Sequence, residues 1–153
     1  MRKKRIMVVG PKGCGKTSLV NAINDYDGPL RRTQDTIYGP KTIDVPSAYI
    51  ENAWMYKHMI ALAQDAWCIL ALVDQSRCAE VYSHGFARAF RCPVIGIISK
   101  CDLAPENEAT CIKQLKMIGA EEPYFRISCP NHIGIEELKR YLLEFERKVR
   151  GLS

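Results

Sequence analysis

A chain of 153 residues, 47% apolar and 25% charged, has the ordinary composition of one globular domain with a full-sized core, and no stretch reaches the length of a membrane span. The net charge of +5 is spread along the chain and interleaved with acid, as at Glu136, Glu137, Lys139 and Arg140, so it describes a solvated helix face and argues against a nucleic-acid partner. Seven scattered cysteines, odd in number and without a C-x-x-C pair, exclude a disulfide scaffold or zinc site and point to a reduced, cytoplasmic protein.

Taken in chain order, the basic residues 2–5 precede an apolar run at 6–9 that is too short for a signal peptide and instead has the character of a buried strand. It leads directly into Gly10, Pro11, Lys12, Gly13, Cys14, Gly15, Lys16 and Thr17, which spell G-x-x-x-x-G-K-[ST], and then into a helix over 16–24. Strand, Gly-rich loop, helix is the setting of a phosphate-binding P-loop. Glycines let successive N–H groups converge, and the helix N-terminus, including Ser18, adds partial positive charge. Lys16 is expected on the β and γ phosphates of a nucleotide, and the Thr17 hydroxyl on Mg²⁺.

The turn chemistry of residues 25–29 stops the first helix, and 30–41 is polar without clear period. Residues 42–46 resemble a short strand ending at a loop. Helical periodicity runs through 55–65, with Trp54, Met55 and Tyr56 expected to pack in the core or, as the alternative, to form a partner surface. The continuous apolar run 68–73 predicts a strand buried on both faces, 80–90 a helix, and 94–98 a second buried strand. A helix over 107–118 closes at Gly119, 124–127 predicts a short strand, and 134–149 a terminal amphipathic helix with Ile135, Leu138, Leu142, Phe145 and Val149 on one face. Alternation of this kind implies an α/β domain with a mostly parallel sheet covered by helices on both faces. Right-handed crossovers would bring the loops after the strands to one sheet edge, where ligands bind.

Two of those loops look like base readers. Ser99, Lys100, Cys101 and Asp102 resemble the Asn/Thr-Lys-x-Asp motif of GTPases. There a carboxylate accepts from the N1–H and 2-amino group of guanine, a donor pair that adenine lacks. Ser99 departs from that motif and is expected to loosen the loop. Ser128 and Cys129 resemble the loop whose backbone N–H supports the guanine carbonyl. With the P-loop, with Arg32, Thr33 and Gln34, with Ile43, Asp44, Val45, Pro46 and Tyr49, and with Glu122 and Pro123, these residues resemble the EutP/PduV family of small P-loop proteins of ethanolamine and propanediol utilisation over nearly the whole chain.

The resemblance implies a GTPase-like fold, GTP or GDP with Mg²⁺, and a link to bacterial microcompartments, with a shell or enzyme partner. It favours Thr33 over Thr36 as the threonine that binds the metal beside Thr17 and Asp44. Since some members have been assigned acetate kinase activity, it also implies an alternative, an acyl kinase using ATP or GTP, with Arg31, Arg32 or Lys41 near a carboxylate substrate. Two departures favour slow hydrolysis or a third role as a catalytically weak targeting or scaffold module. Ser47 stands where a γ-phosphate-sensing Gly is expected, and Ala48 and Tyr49 supply no Gln to orient water. Lys12 sits where an approaching arginine finger would be crowded, and is itself a candidate catalytic cation beside Lys16.

Overall fold

A computed structural model describes residues 4–25, 36–77, 79–149 and 151. Six strands form one sheet in the order β2-β3-β1-β4-β5-β6. They are β1 (Arg5–Val9), β2 (Ile37–Tyr38), β3 (Thr42–Asp44), β4 (Ala66–Asp74), β5 (Val94–Ser99) and β6 (Glu121–Arg126). All neighbouring pairs are parallel except β2 with β3. The helices are α1 (Lys16–Ile23), α2 (Ala48–Glu51), α3 (Tyr56–Leu62), α4 (Glu108–Ile118) and α5 (Ile135–Val149).

Period-two alternation divides the core into two layers. Met7, Val9, Ile69, Ala71 and Val73 pack with Met59 of α3 and with Cys111 and Leu115 of α4. Their neighbours Ile6, Val8, Cys68, Leu70 and Leu72 pack with Leu19 and Ile23 of α1 and with Leu138 and Leu142 of α5. All nine residues of β4 are buried, which is why its run from Ala66 to Val73 is apolar without alternation. Gly119, at φ 83, closes α4 with backbone bonds to Leu115 and Lys116.

Several expectations change. Residues 80–90 hold no α-helix, only a short 3₁₀ turn at Phe86–Ala89. Tyr82 is buried and donates its hydroxyl to the Leu72 carbonyl at 2.7 Å, while Phe86 meets the rings of Tyr56, Tyr82 and Phe90. Tying Tyr82 to β4 and Phe86 to the ring of Tyr56, with Gly85 between them at φ 71, is incompatible with one helical face. The antiparallel pair of β2 with β3, across Gly39 and Pro40, had no period to announce it because β2 is two residues long. Trp54 is 69% exposed, so only Tyr56 of that aromatic stretch packs inward. Val149, expected on the buried face of α5, is exposed, and α5 seats mainly through Ile135, Leu138 and Leu142. Six of the seven cysteines are described, and all six are free thiols.

Candidate functional site

Every loop singled out for chemistry and described here leaves the C-terminal edge of the sheet. The P-loop follows β1 in the middle of the sheet, with β3 on one side and β4 on the other. Gly13 and Gly15 take φ 78 and 89, backbone that a side chain would strain. Gly15 caps α1, no side chain caps that helix, and a Cβ on Gly15 would meet nothing within 4 Å. The first N–H groups of the helix thus have no side-chain cap, and the space beside Gly15 is open, the arrangement that suits an anionic ligand. Lys16 leans across to β3, its ammonium 2.7 Å from Asp44 Oδ1. Thr17 lies beside it, half-buried. Cys14 is fully buried under the loop, and burial pushes its thiol up to about 11.

The residues present fit a metal-bound polyphosphate. No group of three His, Cys, Asp or Glu side chains able to hold a cation alone occurs among the described residues. Mg²⁺ keeps water and takes one or two protein oxygens beside substrate phosphates. Thr17 and Asp44 are the oxygens that would serve such an ion, Asp44 Oδ1 being paired with Lys16 here. Thr33 lies outside the described residues, as do Arg31, Arg32 and Gln34; Thr36 is half-buried just before β2. Ser47 takes φ −58 and ψ −29, an ordinary helical backbone, so no glycine geometry is needed where it starts α2.

Beyond β4 and β5 lies the side expected to read a base. Ser99 ends β5, and its buried hydroxyl donates to the Val73 carbonyl at 3.2 Å, so this serine ties β5 to β4. Lys100 takes φ 55, and its ammonium lies 3.1 Å from Asp74 Oδ2. Asp102 is exposed, and Oδ2 accepts a hydrogen bond from Asn131 Nδ2 at 2.9 Å. Asn131 belongs to a loop closed by paired backbone bonds between Ser128 and Ile133, each 3.0 Å. Ser128 is fully buried and engages its own N–H there, whereas the Cys129 N–H has no partner among the described residues. Cys101 N–H bonds to the Ile127 carbonyl at 3.0 Å, holding the two loops together.

Sequence reasoning missed the segment after β4. Asp74 is 3% exposed and accepts from Ser76 N–H and Oγ at 2.9 and 2.6 Å. Burial works to raise its carboxyl, but the hydrogen bonds from Ser76 and Lys100 outweigh it and hold the group below the usual carboxylate value. Gln75, fully buried, donates through Nε2 to the carbonyls of Cys101 and Leu103 at 3.1 and 2.8 Å, clamping the base-reading loop. Arg77 Nη2 donates to the Lys12 carbonyl of the P-loop, and Lys12 itself is exposed. A signal existed: four polar residues, the first of them Asp74 closing β4, follow an apolar run at the edge where ligands bind. Asn131 gave none, since Asn after Pro is ordinary turn chemistry. A cavity of about 520 Å³ lined by Trp67, Phe90 and Phe145 lies at the opposite sheet edge and takes no part.

Comparison with known proteins agrees with this geometry. Solved structures of the same fold include a probable GTP-binding protein engB, with TM-score 0.67 and 18% identity over 94% of this chain and 99% of that one. The FeoB G-domain from Methanococcus jannaschii superposes with TM-score 0.60 and 18% identity over 95% and 98%. The fold is therefore that of P-loop GTP-binding proteins. Among sequence relatives, the propanediol utilization protein PduV of Citrobacter freundii is 33% identical over 140 residues, 91% of this chain and 93% of that protein. The probable acetate kinase EutP of Escherichia coli K12 is 30% identical over 151 residues, 95% and 92% respectively. The model of the PduV-EutP family, described as ethanolamine utilisation - propanediol utilisation, matches residues 3–144. With that match spanning nearly the whole chain, the protein belongs to the PduV-EutP family.

Proposed function

We propose that the chain binds a guanine nucleotide with Mg²⁺, hydrolyses it slowly, and serves ethanolamine or propanediol utilisation in the cytoplasm, in contact with a microcompartment shell or enzyme partner. One observation carries this reading. A single sheet edge gathers a phosphate-binding helix start, the Lys16–Asp44 pair, and a base loop whose Asp102 carboxylate is oriented by Asn131. Each carboxylate oxygen has two lone pairs, so the bond from Asn131 leaves Asp102 able to accept from guanine. Cys129 N–H is the free donor for the base carbonyl. Lys16 exchanges Asp44 for phosphate oxygens, and Asp44 and Thr17 turn to the metal. Thr33 is the proposed further metal ligand, and Lys12 a cation at the loop.

Calorimetry with GTP, GDP, ATP and ADP, each with and without Mg²⁺, tests the reading. The expected result is Mg²⁺-dependent GTP binding with ATP at least about a hundredfold weaker. Equal affinity for ATP and GTP rejects the base assignment.

The relatives named as probable acetate kinases at 30% identity favour a second reading, phosphoryl transfer to a small carboxylate. Rapid formation of acetyl phosphate from acetate and a nucleoside triphosphate would put it first. Lys12→Gly should then abolish transfer while leaving nucleotide binding intact.

A further inference from the structure

The guanidinium of Arg77 is held in an unusual way. Its chain begins at a fixed point, because Asp74 is buried at the end of β4 and Arg77 N–H bonds to the Asp74 carbonyl at 3.1 Å. From there the side chain, 59% exposed, runs onto the P-loop. Nη2 donates to the Lys12 carbonyl, and a Cβ placed on Gly13 would lie 3.0 Å from the same nitrogen. Nε is only 3.5 Å from Asp74 Oδ2, a carboxylate oxygen that also faces Lys100 Nζ at 3.1 Å.

Counting charge around this carboxylate decides the matter. Asp74 is one anion shared by two cations, and Lys100 has the shorter contact. Arg77 is left with a loose ion pair and a neutral carbonyl. Guanidinium hydrogen bonds to anionic oxygens are roughly twice as strong as bonds to neutral acceptors, and its planar fork matches phosphate. On the other side of the loop Lys16 is already matched one to one by Asp44. Besides the exposed Lys12 on the loop itself, positive charge in excess of its partners therefore sits on Arg77, against the loop whose backbone would bind phosphates.

We propose that Arg77 is a phosphate ligand supplied in cis by the segment after β4, which leaves the Lys12 carbonyl for a polyphosphate oxygen when nucleotide binds. The assignment rests on the nucleotide-binding reading above. It adds a residue that the P-loop pattern does not contain, and it makes Asp74 the anchor that aims it.

The test is calorimetry of the full chain with GTP, GDP and GMP in Mg²⁺, comparing wild type, Arg77→Ala and Arg77→Lys, with thermal melting of each ligand-free protein. Arg77→Ala should weaken GTP by about tenfold or more and leave GMP within about twofold, since GMP has no β or γ phosphate. Arg77→Lys should recover part of the loss, and the ligand-free melting temperatures should coincide. A role as a mere clasp of the loop predicts a lower melting temperature and equal loss for all three ligands, and that result overturns the proposal. So does an Arg77→Ala protein that binds GTP like wild type. If folded wild type binds no nucleoside triphosphate, the nucleotide-binding reading falls and Arg77 with it; if wild type binds and Arg77→Ala matches it, only Arg77 falls.

Discussion

Single side chains at the sheet edge carry the sharpest expectations. Lys16 is the P-loop cation nearest the metal side, and Lys16→Ala should lower nucleotide affinity at least about tenfold, or about 1.4 kcal/mol. Unchanged calorimetry on a folded variant would remove Lys16 from the site. Asp102→Asn exchanges an acceptor for a donor on one arm of the side chain, so preference should move from GTP toward XTP, whose 2-oxo group needs that donor. Competition between the two triphosphates reads this directly. Asp74 has a pH signature. Its folded carboxyl lies below the usual value, whereas in the unfolded chain it titrates near about 3.9. The bonds to Ser76 and Lys100 therefore stabilise fully above the unfolded value and are lost as pH falls through the folded one. Denaturant melts should show wild type more stable than Asp74→Asn by a constant margin from pH 7 to about 5, narrowing below about pH 4. A margin that widens in acid would reverse the assignment.

Elements explain what could be foreseen and what could not. The P-loop, β4, β5, α4 and α5 were legible because each is announced by a local rule: a motif in its context, an apolar run, a helical period with a glycine stop. Residues 80–90 misled because Tyr82 and Phe86 have helical spacing, yet their partners are Leu72 and Tyr56, far away in sequence. Tertiary anchoring won over local period. The same holds within the site: Asp102 was legible as part of a motif, while Asn131, which aims it, was hidden because only the folded loop brings the two together. That loop depends on Gly134, at φ 74, where a Cβ would approach the Arg126 carbonyl at an impossible distance. Gly134→Ala should cost about 2 kcal/mol or more and loosen the Asn131–Asp102 contact, lowering GTP affinity more than any substitution on the far face of α5. Parallel melts and calorimetry of Gly134→Ala would check both effects.

At the scale of the molecule, the sheet sets reading and reacting on different strands. The residues proposed for phosphate and metal hang from β1 and β3, the proposed base loop from β5, and the segment after β4 lies between them in strand order. This is a frame for holding a nucleotide, and nothing in residues 47–49 supplies the amide that orients attacking water. Purified protein should therefore turn over GTP well below about one per second. The placement of the two tryptophans gives the protein its own optics. Trp67 is buried and stacks on Phe145 of α5, with ring centroids 5.4 Å apart, so its emission should be blue and indifferent to iodide. Trp54 stands in water shortly after Asp44 and Ser47, and should be red-shifted and readily quenched. One indole is thus an internal standard and the other a lamp beside the segment that follows Asp44. Titrating GTP and then GDP should change the quenchable fraction alone, and Trp54→Phe should darken that signal while leaving the blue component in place.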